Sequence, residues 1–117
     1  MRVFTFDEAE ACIPRLEKIF EVATEIKGRA EQKLAMVRAL EAKGGPDPAQ
    51  LAIERAQLEF LSKSLEEALK GVEQMGAVLK GLEPALVDFP FKMKGQQVFL
   101  CWRAGEKRIA HYHGVEE

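Results

Sequence analysis

"LVDFPFKMKGQQVFLCWRAGEKRIAHYHG", Leu86 to Gly114, is the stretch on which the fold class of this chain turns. Upstream of Pro84 the apolar residues recur every three or four positions, as on a helix face. Here they alternate, which is the period of a half-buried strand. Leu86 to Phe91 reads as a first strand, Lys94-Gly95 as a turn, and Gln97 to Arg103 as a second strand. Gly105-Glu106 supplies another turn and Lys107 to His113 a third strand. Pro90 cannot donate to a ladder, so the first strand is expected at an edge. The expectation is a three-stranded antiparallel β-meander over about 86–113.

Two-residue turns fix which residues face each other. The Lys94-Gly95 turn sets Asp88 opposite Cys101. The Gly105-Glu106 turn sets Leu100 opposite His111 and Val98 opposite His113. Trp102, His111 and His113 then share one face, and Phe99, Cys101, Ala110 and Tyr112 share the other with Asp88. That register keeps the thiol apart from both imidazoles unless a bulge shifts it.

The hairpin is dense in groups capable of chemistry. His111 and His113 have the H-x-H spacing that points two imidazoles from one strand the same way, an arrangement a divalent ion such as zinc accepts once further ligands join. Cys101, between Leu100 and Trp102, reads as an inert core thiol or as a nucleophile; the expected register gives it no histidine, so no catalytic residue is assigned. Trp102 reads as a packing anchor or a stacking surface. Asp88, set between Val87 and Phe89, reads as an acceptor of backbone N–H bonds or as a ligand group. Arg103 suits an acidic partner. The candidate ligand-binding set is therefore Asp88, Cys101, Trp102, Arg103 and His113, with His111 and His113 as candidate metal ligands. No Gly-rich loop follows a strand, so no phosphate-binding loop is readable.

The preceding sequence is helical. Thr5 is an N-cap, and Glu8 three residues on completes a capping box. Ala9, Ile13, Leu16, Phe20, Ala23, Ala30, Leu34 and Val37 follow at helical spacings to about Ala42 or Lys43, with Pro14 expected to kink the helix near its start. Gly44 to Pro48 is a turn, with Asp47 capping a second helix and Pro48 at its first position. Leu58, Leu61, Leu65, Ala68, Val72, Met75, Leu79 and Leu82 alternate three and four, a coiled-coil seam that extends to a stop at Gly81. The short turn makes the pair an antiparallel hairpin over about 6–82. Val22, Ile26, Met36 and Leu40 widen the apolar arc of the first helix beyond what one partner helix covers, and self-association is the expected remedy.

Length and composition frame these readings. The chain has 117 residues, 47% of them hydrophobic and 31% charged, which is enough for one domain spanning 1–117. A net charge of -2 offers no basic field for nucleic acid. No apolar run reaches the ~20 residues of a membrane span, and no signal-peptide core is present, so a cytoplasmic protein is expected. Cys12 and Cys101 are then expected as reduced thiols.

With these residues in view, the chain resembles a bacterial family catalogued as domain of unknown function 2203. "FTFDEAEACIPRL" (Phe4 to Leu16) is similar to the family's opening; "LVDFP", "VFLCWRAGE" and the late Tyr112-His113 are similar to its close. Carried over position by position, the recurrent residues fall on Asp88, Phe89, Pro90, Leu100, Cys101, Trp102, Arg103, Gly105, Glu106 and His113. The resemblance implies a helices-then-sheet unit and points to the terminal hairpin. It implies no established activity, substrate or cofactor; some members carry a "division initiation" label, which names no mechanism.

The expectation is thus an α+β protein: a long two-helix hairpin followed by a three-stranded meander. Its first functional reading is a non-enzymatic, self-associating interaction module, a homodimer or a partner for another protein. The alternative is a small-ligand or divalent-metal-binding protein with its site on the terminal hairpin.

Overall fold

The computed structural model describes residues 2–45 and 47–115. The helical segments are α1 (Phe6–Ala11), α2 (Ile13–Ala42) and α3 (Pro48–Gln74). Four strands follow: β1 (Val78–Leu82), β2 (Ala85–Met93), β3 (Gln96–Arg103) and β4 (His111–Gly114). The chain divides into two compact units, Met1–Phe20 with Leu69–Glu117, and Glu21–Ala68.

The sheet belongs to the first unit and is a four-stranded antiparallel meander in the order β1-β2-β3-β4. One strand more than expected arises because α3 ends early. Its heptad pattern runs on to Leu82, but the helix stops at Gln74 and Gly76 adopts φ +91°. The Ala77 N–H bonds to the Val72 carbonyl at 3.3 Å and the Gly76 N–H to the Glu73 carbonyl at 2.9 Å, which closes the helix in a Schellman motif. Leu79 and Leu82, expected on the helix seam, therefore lie in β1. Leu79 alternates toward the core, where period two and period 3.5 coincide by chance. The expected stop at Gly81 and the 6–82 extent of the hairpin are corrected accordingly.

The expected strand at Leu86 is β2, and it is interior rather than at an edge. Pro90 is tolerated there because β1 pairs no further than Val78 with Asp88. Beyond that point the Phe4 N–H bonds to the Pro90 carbonyl at 2.8 Å. A strand residue points its N and its C=O to the same side, so the missing donor of Pro90 faces the N-terminal segment and costs the β3 ladder nothing. The Lys94-Gly95 turn is present as expected, and Asp88 pairs with Cys101.

One face of the sheet is dry. Val87, Phe89, Leu100 and Trp102 pack with Phe4, Ala9, Ile13, Leu16 and Phe20 and with Val72 and Met75. Trp102 is 1% exposed and stacks on Phe20 with ring centroids 5.9 Å apart. At the other end the Thr5–Glu8 capping box forms as expected. The break between α1 and α2 falls at Cys12, two residues before Pro14, where the Cys12 N–H bonds to the Ala9 carbonyl in a tightened turn.

The second unit is a helical hairpin made by the C-terminal part of α2 and the N-terminal part of α3. Asp47 caps α3, its Oδ1 accepting from the Ala49 and Gln50 N–H groups; Pro46 of the expected turn lies outside the described residues. The hairpin is held across its seam by Lys33, whose Nζ donates to Glu54 Oε2 and to Gln57 Oε1, each at 2.7 Å. Arg55 pairs with Glu41 farther along.

Candidate metal centre

The outer face of the sheet, opposite the core, carries the candidate groups. Alternation along β2 sends Val87 and Phe89 inward, so Asp88 points outward; along β3 it sends Leu100 and Trp102 inward and Phe99, Cys101 and Arg103 outward. β4 decides the rest. Cys101 pairs with His111, Phe99 with His113, and Leu100 with Tyr112. This is one residue away from the expected register, and a one-residue slip exchanges the faces of a whole strand. His111 and His113 therefore lie on the face of Cys101 and Asp88. The expected separation of thiol and imidazoles is overturned.

The cause is the β3–β4 connection. It spans residues 104–110 instead of closing at Gly105-Glu106. The Glu106 N–H bonds to the Arg103 carbonyl at 3.0 Å, a turn centred on Ala104-Gly105 and not on the expected Gly105-Glu106, and the Trp102 Nε1–H donates to the Glu106 carbonyl at 3.0 Å. The chain then does not pair at once. Ile109, 6% exposed, enters the core, and its N–H donates to Glu10 Oε2 on α1 at 2.9 Å. That bond holds the Glu10 carboxyl below its ordinary range, with Arg108 contributing less. Burying Ile109 and bonding its N–H to a helix carboxylate set where β4 begins.

The slip brings three side chains from three strands together. Asp88, 2% exposed, accepts from the Cys101 thiol at Oδ1 (3.2 Å), and its Oδ2 lies 2.8 Å from Nε2 of His113. Donor atoms of Asp88, Cys101 and His113 lie within 4.8 Å of one another. The His113 ring stacks on Phe99 with centroids 5.5 Å apart, and its Nδ1 lies 2.9 Å from the Gly114 carbonyl oxygen. A carbonyl oxygen only accepts, so Nδ1 carries a proton and Nε2 is the nitrogen turned to the cluster.

Electrostatics keep the thiol protonated in this arrangement. Burial first, then the hydrogen bond to Asp88 and the charges of Asp88 and Glu106, push the Cys101 thiol up to about 12; Lys80 acts weakly the other way. The geometry is not that of a cysteine nucleophile with its base, since the thiol meets a carboxylate rather than the imidazole. What the cluster offers is a soft sulfur, a borderline nitrogen and a hard oxygen at one point.

Other candidates are distributed around it. Trp102 lies on the opposite, core face and is not brought to the cluster. Arg103 shares the outer face and is exposed. His111 shares it too, but its Nδ1 lies 3.8 Å from Glu106 Oε2 and its side chain is largely exposed. Cys12 and Cys101 are both free thiols. Lys80, Glu106, Phe99 and the Gly114 carbonyl were not singled out from sequence as parts of a site. Glu106 carried a signal as a recurrent position of the family resemblance, and Phe99 through its parity with Cys101.

A family model described as an uncharacterised conserved protein, domain of unknown function 2203, matches residues 2–117, and the chain belongs to that family. No curated protein and no solved structure matches. Among the described residues, no helix is long and apolar enough to cross a membrane.

Proposed function

We propose that this member of the domain of unknown function 2203 family binds a divalent transition ion of the zinc class through Asp88, Cys101 and His113. The observation that supports this reading is the convergence of three unlike donor atoms within 4.8 Å on one sheet face. A tetrahedral ion with bonds of about 2.0–2.3 Å sets its ligands about 3.3–3.7 Å apart. The 4.8 Å within which the three donor atoms lie must close by about an ångström to reach that range, a movement of side-chain size. The second sphere is in place as well: a metal-ligating histidine characteristically gives its other N–H to a backbone carbonyl, as His113 Nδ1 does to Gly114. The Cys101 thiol proton lies on Oδ1; an ion takes its place and releases it. Three protein ligands leave a fourth position open, the arrangement of reactive rather than purely structural zinc sites.

Metal content of purified protein, and calorimetric titration of metal-free protein with zinc, test this. One equivalent bound per chain with proton release is expected. Asp88→Asn, Cys101→Ser and His113→Gln should each weaken binding about 10–100-fold or more. Binding unchanged in all three variants, or no binding by the parent chain, removes the reading.

A second reading, self-association through the helical hairpin, is favoured by one observation within Glu21–Ala68. Val22, Met36, Ile53 and Phe60 are exposed there, Phe60 by 62%. A groove of about 830 Å³ is lined in part by Ile26, Met36, Phe60 and Leu61. Its occupant in this reading is a second copy. Phe60 borders the groove, so a two-fold pairing sets each Phe60 over the other copy's groove. Light scattering across a concentration range decides it. A dimer that Phe60→Ser dissociates supports the reading, and a strict monomer removes it.

A further inference from the structure

Two cations, Lys80 and Arg103, stand beside the Asp88–Cys101–His113 cluster together with the carboxylate of Glu106. Arg103 pairs with Leu86 on the ladder and so lies on the cluster's face, two residues from Cys101. Lys80 sits where the β1–β2 register breaks between Leu79 and Gly81. Leu79 packs toward the core, and Lys80 is the exposed extra residue of this irregularity, next to Gly81, which pairs with Leu86 opposite Arg103. Both side chains are exposed, and the Arg103 backbone N–H donates to Glu106 Oε1 at 2.7 Å.

A dication bound beside two exposed cations raises the positive potential at this face and favours an anion there. With an ion bound, the Asp88 carboxylate and the Cys101 thiolate cancel its two charges. Glu106 offsets one of the two cations, and one positive charge remains over an open coordination position. A neutral ligand would leave that charge uncompensated.

We propose that the fourth position takes an oxyanion, a carboxylate or phosphate group of a small molecule, with Lys80 and Arg103 as its charge partners. The inference rests on the metal-binding reading above. The ligand's oxygen completes the ion's coordination, and its remaining oxygens accept from the ammonium and the guanidinium. Arg103 suits this role because its planar fork matches two oxygens at once. Phe99, Val78 and Leu86 share this face, so apolar surface borders the charged groups.

Cobalt(II) is the probe, because its thiolate charge-transfer band and its visible spectrum report both occupancy and the fourth ligand. The full chain is loaded with cobalt(II) and titrated separately with inorganic phosphate and with acetate. A saturable spectral change with at least one anion is expected. Lys80→Met and Arg103→Gln should keep the cobalt-thiolate band while weakening the anion response about tenfold each, the loss expected for one charge-assisted contact. A change with phosphate alone assigns the phosphate class; a change with acetate assigns carboxylates. A normal cobalt band that neither anion perturbs overturns the inference and leaves metal binding standing. So do variants that respond like the parent chain. Absence of the cobalt band removes both.

Discussion

Oδ2 of Asp88 lies 2.8 Å from Nε2 of His113, a contact between β2 and β4 that reaches across β3. The two strands are not neighbours in the sheet, so no ladder hydrogen bond links them. The carboxylate is 2% exposed, and its described hydrogen-bond partners are this imidazole and the Cys101 thiol. The same contact therefore anchors the edge strand β4 and assembles the candidate metal site.

His113→Ala leaves a buried carboxylate oxygen without its donor. A loss of about 1–3 kcal/mol in metal-free stability is expected, the cost of a buried polar group left unsatisfied. Urea denaturation measures it. Backbone amides of β4 should also lose protection in hydrogen exchange before those of β2 and β3. Stability equal to that of the parent chain would mean that the contact does not hold β4.

The Cys101 thiol gives a pH signature on the alkaline side. Its proton is held up to about 12 in the folded chain against an ordinary value of 9.0. The folded state binds that proton more tightly than the unfolded one. Its contribution to stability is complete below pH about 9 and disappears as pH rises toward 12. In Cys101→Ala this part of the alkaline loss should be missing, so the two stability curves converge as pH rises. Parallel curves between pH 8 and 11 would contradict it.

Glu10 gives the opposite signature. The Ile109 N–H holds its carboxyl below the ordinary value of 4.5. The folded state prefers the ionised form, so this contribution is present above pH about 4.5 and is lost as pH falls through the lowered value. Glu10→Gln should be less stable than the parent chain at pH 7, and the difference should close in acid. Thermal melts at pH 7 and pH 3 compare them.

Gly76 is the position least able to accept a side chain. Its φ is +91°, and a Cβ there would meet Arg2 Cδ at 2.9 Å, where the Arg2 guanidinium also bonds to the Met75 carbonyl. Gly76→Ala should cost about 1–2 kcal/mol for the left-handed backbone. It should also loosen Arg2, which lies over the Phe4 ring. A melting temperature equal to the parent's would show that α3 can end in another way.

The sequence by itself determined the local elements. The Thr5–Glu8 box, the Asp47 cap, the end of α2 at Ala42 and the Lys94-Gly95 turn are written in residues a few positions apart, and local bonding is enough to enforce them. The pairing of Asp88 with Cys101 follows from that turn alone. Where a signal had two local solutions, the sequence was ambiguous. Leu79 and Leu82 fit a heptad and also a strand, and the backbone conformation of Gly76 chose between them.

Tertiary structure decided the face on which the histidines stand. Ile109 enters the core and bonds Glu10, a residue ninety-nine positions away, and this delays β4 by one register step. Side chains alternate with period two, so a single step moved His111 and His113 from the Trp102 face to the Cys101 face. No local signal in the chain encodes that choice. It depends on how much of the 104–110 connection the core takes up before pairing resumes.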